Sequence, residues 1–124
     1  MSQQFHKPIA LATDCVILGF DGGELKLLLT EREKEPFKNK WALPGGFVFP
    51  EETTEACARR ILLEKTGIDK VFIEQLYTFS NTDRDPRERI VSVAYFALVN
   101  KQSYELIAGR DTLQAEWFGL SELP

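Results

Sequence analysis

The sequence predicts an α/β or α+β sandwich. Three observations carry that expectation: several short apolar segments rich in β-compatible residues, one strongly helical segment with both ends marked, and glycine, proline or polar turns between them. The 124 residues suit one compact domain. A chain of this length can bury a core without staples. An apolar content of 44% and 9 Phe agree with a packed interior.

The elements follow in order. Ala10 to Phe20 (ALATDCVILGF) reads as a strand, Asp21-Gly22-Gly23 as a turn, and Leu25 to Arg32 (LKLLLTER) as its hairpin partner. Glu33 to Lys40 is charged, holds Pro36 and reads as a loop. Trp41 to Val48 reads as a short strand broken at Pro44-Gly45-Gly46. Thr53 to Lys65 is the helix. Thr53 is its N-cap, Glu55 sits where the dipole favours an anion, and Ala58, Ile61, Leu62 and Lys65 recur at helical spacing. Gly67 stands at the C-terminal cap. Phe72 to Phe79, Arg89 to Val99 and Gln114 to Leu120 read as strands, with a polar loop from Ser80 to Glu88. Ser121 to Pro124 reads as a helix opening, with Ser121 as N-cap.

Several function classes are excluded at this level. The apolar runs are too short for a membrane span. The first residues lack the basic-then-apolar pattern of a signal peptide. Cys15 and Cys57 have no metal or redox spacing and sit in apolar segments, so they read as buried thiols. Together these features point to the cytoplasm. A net charge of −4 without basic runs gives no nucleic-acid footprint.

The segment from Gly46 to Ile68, GFVFPEETTEACARRILLEKTGI, carries the chemistry. Glu52 follows Gly46 after five residues and Arg60 follows after seven more. Leu62, Glu64, Gly67 and Ile68 then fall at fixed steps. This spacing resembles the Nudix box, G-x5-E-x7-R-E-U-x-E-E-x-G-U with U aliphatic, without a gap. Trp41-Ala42-Leu43-Pro44-Gly45-Gly46-Phe47 resembles the family's entry strand. The resemblance covers nearly the whole chain and implies a single Nudix domain over residues 1–124. Its fold would be an α/β/α sandwich with a mixed sheet and the Nudix loop–helix–loop.

Two positions depart from the box. Ile61 replaces the glutamate after Arg60, and Lys65 replaces the second of the acidic pair. In the family these helix carboxylates hold magnesium against a substrate pyrophosphate. Residues 61 and 65 lie about 40° apart around a helix, and 64 lies about 60° to the other side of 61. The face therefore reads Ile61, Glu64, Lys65, with a formal charge of zero instead of −3. Magnesium needs oxygen ligands, which isoleucine lacks, and an ammonium repels it. Glu52, Glu64 and Glu51 are the acids of the box that remain near this face. Asp83, Asp85 and Glu88 are the candidate substitutes from outside it. Hydrolysis is expected to be absent or very weak. If the domain were active, Glu52, Arg60 and Glu64 would be its catalytic residues and magnesium its metal, held weakly by Glu52 and Glu64. Otherwise no cofactor is expected. Without the box spacing, Ile61 would read as a core residue and Lys65 as a solvated helix end.

Further stretches resemble the ADP-ribose pyrophosphatase branch: Leu29-Thr30-Glu31-Arg32, Pro36-Phe37, Glu74 to Phe79, and Arg84-Asp85-Pro86-Arg87 followed by Ser92-Val93-Ala94-Tyr95. That branch includes the NrtR-type transcriptional regulators, which join a non-hydrolytic Nudix domain to a C-terminal winged helix. The resemblance implies a sensor of ADP-ribose, a related nucleotide or a sugar, in a homodimer. DNA would be met only through a C-terminal domain absent from this chain, since nothing after Val99 offers a basic recognition helix. The alternative it implies is a magnesium-dependent hydrolase of nucleoside diphosphate-linked compounds.

The candidate ligand residues are Arg32, Gly46, Phe47, Arg84 and Arg87. Arg32 can meet a phosphate or ribose, or act as a surface ion-pair partner. Arg84 and Arg87 can fork onto phosphates, or pair with Asp85 within their loop. Phe47 and Trp41 can stack on a base, with core packing the stronger reading. Arg60 reads as the orienter of the box loop. His6 lies in a tail and reads as neither ligand nor catalyst.

Overall fold

The computed structural model describes residues 8–82 and 88–124. The chain runs β1 (Ala10–Asp21), β2 (Glu24–Arg32), β3 (Trp41–Ala42), β4 (Gly45–Phe47), α1 (Thr54–Thr66), β5 (Glu74–Phe79), β6 (Ile90–Asn100), a 3₁₀ turn (Lys101–Ser103) and β7 (Thr112–Gly119). The sheet is mixed, in the order β3-β2-β1-β6-β5, with β4 on β1 and β7 on β2. Among the described residues, only β1 and β6 run parallel, from Ala10 opposite Ile90 to Phe20 opposite Asn100. No helix among the described residues is long and apolar enough to cross a membrane.

One feature of this sheet makes the site. β1 and β2 leave their hairpin together, paired from Asp21 and Glu24 to Leu18 and Leu27. Gly22 and Gly23 supply the positive φ angles, 57° and 93°, that the two-residue turn requires. Beyond Leu18 the two strands part. The chain that returns from β2 fills the gap as a wedge: β3 pairs with β2 through Thr30 and Glu31, and β4 pairs with β1 through Ala12 to Asp14. Bonds from Cys15 N to the Pro44 carbonyl (2.9 Å) and from Arg32 N to the Lys40 carbonyl (3.0 Å) fix it on both sides.

Alternation along β1 buries Thr13, Cys15 and Ile17 on the face that carries α1. Leu28, Ala58, Leu62, Ile68, Val71, Val93 and Tyr95 are among the other side chains of that core. Both cysteines are free and buried, and burial pushes the Cys15 thiol up to about 12. Thr53 caps α1 by accepting from Ala56 N (3.0 Å), and Gly67 ends it in the left-handed region at φ 79°. Gly67 N satisfies the Leu63 carbonyl. The stretch before β7 satisfies the next three: Arg110 N bonds Glu64 O, Gly109 N bonds Lys65 O, and Ile107 N bonds Thr66 O.

Several expectations shift. The strand expected from Phe72 starts at Glu74, and β7 starts at Thr112 rather than Gln114. Ser121 does not open a helix: Glu122 N returns to the Gly119 carbonyl and the backbone makes a turn. Among the described residues, one α-helix therefore covers the mixed sheet, on the face of β1 that buries Thr13, Cys15 and Ile17.

Candidate functional site

Arg60 organises the box. Its Nη2 and Nε reach the two oxygens of Glu52 at 2.7 and 3.1 Å, and Nη1 reaches Glu64 Oε1 at 3.1 Å. Nη2 also donates to the Phe47 carbonyl (3.0 Å), and the guanidinium lies 4.0 Å over the Phe49 ring. Five donors in one plane make this multiple docking available to arginine alone. Glu52 closes the loop by accepting from Phe49 N at 2.9 Å. The Arg60 hydrogen bonds, then the Phe49 N–H, hold the Glu52 carboxyl down to about 2. The same contact with Glu52 raises the affinity of Arg60 for its proton. The expected orienting role of Arg60 is thus visible as bonds to both sides of the loop.

The two departures from the box both touch β4. Ile61 is buried, and its Cδ1 would stand 2.5 Å from a Cβ placed on Gly46. Glycine is what lets helix and strand approach this closely. Lys65 is not a solvated helix end: it is half-buried, and its Nζ donates to the Gly45 carbonyl at 2.7 Å. Burial lowers its proton affinity, and the nearby Arg32 charge lowers it further, against the pull of Asp111 and Glu64.

A divalent cation is the group the box implies, and these side chains do not fit one. Both oxygens of Glu52 and one of Glu64 already accept from Arg60. The ammonium of Lys65 occupies the Gly45 carbonyl, and Ile61 offers carbon. Glu51 is exposed in the loop before α1. Among the described residues, no three acidic, His or Cys side chains gather to hold an ion. Of the substitute acids, Glu88 is exposed, and Asp83 and Asp85 lie outside the described residues.

Where β1 and β2 part, a cleft of about 450 Å³ opens. Its lining includes Asp14, Arg32, Lys40, Trp41, Gly46 and Phe47. Three of the five candidate ligand residues, Arg32, Gly46 and Phe47, therefore share one cleft. Arg84 and Arg87 lie outside the described residues. Arg32 is held by Nε donation to the Pro36 carbonyl at 2.8 Å and makes no ion pair with another described residue. Phe47 is half exposed, against the expectation of core packing, whereas Trp41 packs edge-on to Phe118 with centroids 4.9 Å apart. Sequence reasoning missed Asp14 and Lys40. An acid inside the apolar strand ALATDCVILGF was the available signal for the first. Nothing marked the second apart from other loop lysines.

Comparison with known proteins agrees with this geometry. The NUDIX domain family model matches residues 8–124. Over 106 residues the chain is 47% identical to the ADPR responsive transcriptional repressor NtrR of Acinetobacter baylyi, covering 83% of this chain and 42% of that protein. Over 99 residues it is 40% identical to an ADP-ribose pyrophosphatase of Methanocaldococcus jannaschii, covering 80% of this chain and 57% of the other. The chain thus spans about half the length of these relatives. The NUDIX domain of Shewanella oneidensis NrtR, solved with ADP ribose, superposes with a TM-score of 0.83 at 35% identity, over 94% of this chain and 76% of that one. The loop–helix–loop around Arg60, the mixed sheet and these likenesses together place the chain in the Nudix family.

Proposed function

We propose that this domain binds ADP-ribose, or a related nucleotide or sugar, without cleaving it, as the effector-sensing part of an NrtR-type transcriptional regulator. One observation carries the reading: the Lys65 ammonium sits on the Gly45 carbonyl where the box would place an acid, while Arg60 engages Glu52 and Glu64. Phosphoryl chemistry of this class draws on metal charge and on a metal-activated water. Among the described residues, no cluster of acidic, His or Cys side chains supplies the ligands for either. The cleft offers Arg32, Lys40 and the half-exposed ring of Phe47 to a nucleotide. The likeness to a repressor named for its ADP-ribose response, and to an NrtR domain solved with ADP ribose, supports the same class of effector. On this reading residues 1–124 are the N-terminal part of a longer homodimeric regulator, and DNA is met through a further domain.

A second reading, a magnesium-dependent pyrophosphatase, is favoured by the 40% identity to the Methanocaldococcus enzyme and by the retained Glu52, Arg60 and Glu64. One experiment separates them. The protein is incubated with ADP-ribose and magnesium while AMP is followed by chromatography, and binding is measured by calorimetry. The proposal expects binding without AMP release. Multiple turnovers would overturn it.

A further inference from the structure

The misfit of a metal at the box has a positive side. We propose that the Lys65 ammonium is a built-in cation for the diphosphate of the ligand, so that this domain takes a nucleoside diphosphate without a divalent metal. The proposal rests on the reading of a bound, uncleaved nucleotide.

The geometry leads there in three steps. The wall between α1 and the cleft is glycine: Gly45 and Gly46 both line the cleft, and side-chain atoms approach them from opposite directions. Ile61 comes up to Gly46 from the helix. The Asp14 carboxylate comes up to Gly45. Lys65 Nζ reaches the carbonyl of Gly45, so a full positive charge stands at one peptide of the cleft wall.

The second step is charge. Arg60 is spent on Glu52 and Glu64. Lys65 and Arg32 make no ion pair among the described residues, yet they stand near enough that the charge of Arg32 depresses the proton affinity of Lys65. Among the described residues, two cations thus stand near one another at this wall, Arg32 in the cleft and Lys65 behind Gly45, with the Asp14 carboxylate on the same wall and the charges of Asp111 and Glu64 also acting on Lys65. A diphosphate that reached both cations would be attracted by each.

The third step is reach. An ammonium has three donors, and one goes to Gly45. Arg32 spends Nε on Pro36, and among the described residues its two terminal amino groups make no further bond. A flexible four-carbon stem lets Lys65 turn its remaining donors to an oxygen at the wall, as a point charge does in many phosphate sites.

Calorimetry on the intact chain tests this, with ADP-ribose and ADP as probes, once in EDTA and once in magnesium. The wild type is expected to bind both within about twofold in the two buffers. Lys65→Gln keeps a donor and removes the charge. It is expected to weaken both by roughly 10- to 100-fold, the value of one charge-assisted hydrogen bond. Lys65→Arg is expected to restore most of the affinity. Tenfold or greater dependence on magnesium, or a Lys65→Gln variant that binds like the wild type, would overturn the proposal. Should Lys65→Gln fail to fold, the Lys65 side-chain resonances of the wild type are followed during an ADP titration in EDTA. They are expected to shift at saturation, and their constancy would refute the contact. If ADP binds through Lys65 and ADP-ribose does not, the effector is misassigned and the lysine stands. If neither binds, both readings fall.

Discussion

Two rows of the same 13-residue helix have had different fates. The outer row and its caps, Thr53, Arg60 and Gly67, keep the bonds that hold the loop–helix–loop together. The inner row, Ile61 and Lys65, keeps the backbone geometry and changes the chemistry: carbon against Gly46 and an ammonium on Gly45. On the proposed reading of an uncleaved ligand, the difference teaches that frame and reaction are separable in this helix. The frame depends on capping groups and one arginine fork, none of which touches the inner positions. Two substitutions can therefore convert a ligand face into a packing face without disturbing what identifies the family.

The largest expected effect breaks the packing side of that comparison. Ile61 is 3% exposed and faces Gly46, so Ile61→Ala leaves a cavity that glycine cannot fill. The variant should lose about 2–5 kcal/mol of unfolding free energy in a urea titration. A loss under about 1 kcal/mol would mean that the inner row is not core.

The second test tries to reverse the conversion. Ile61→Glu with Lys65→Glu returns two carboxylates to the inner row beside Glu64. Magnesium affinity should rise from undetectable to measurable, and folding should become metal-linked. With magnesium at ten times its Kd, the variant should gain about 1.4 kcal/mol over the metal-free protein. A variant whose melting ignores magnesium would show that residues 61, 64 and 65 do not converge as argued.

The frame side is probed by its cap. Thr53→Ala removes the acceptor for Ala56 N and should cost about 1 kcal/mol in the same titration, with nucleotide binding unchanged. A parallel loss of binding would tie frame to function and weaken the separation.

The sequence made one row more legible than the other. Caps are local signals, and Thr53 and Gly67 read correctly because their roles depend on neighbours a few residues away. The box spacing likewise announced the fork of Arg60. The angles placed Ile61 and Lys65 on one face with Glu64, and that the face had lost two of its three acids was plain. What they had turned toward was not, because Gly45 lies 20 residues from Lys65 and meets it only through the wedge between β1 and β2. The cleft was hidden for the same reason. Asp14, Arg32, Lys40 and Phe47 come from separate stretches of chain that share a boundary only because the strands part after Leu18 and Leu27. The failed helix at Ser121 is of the opposite kind: a good local cap signal met a backbone bond from Glu122 to Gly119.

The smallest effect sharpens the comparison through pH. Glu52 belongs to the frame, and its carboxyl is held at about 2 against an ordinary 4.5, chiefly by the bonds from Arg60 and then by Phe49 N. In the unfolded chain Glu52 takes up its proton near 4.5, while the folded chain refuses it until about 2. Between those values the unfolded state binds more protons, so stability falls as pH falls. The contribution is complete above about 4.5 and gone below about 2. Asp111, held down by the hydrogen bond from Lys34, adds to the loss with the same sign, so the wild type alone does not isolate Glu52. Urea titrations at steps from pH 6 to pH 2 on the wild type and on Glu52→Gln do. The glutamine variant should be less stable at pH 6 and should lose less on acidification, so that the two curves converge near pH 2. Parallel curves would mean that the Arg60 fork adds nothing to folding, and that the frame rests on its backbone caps alone.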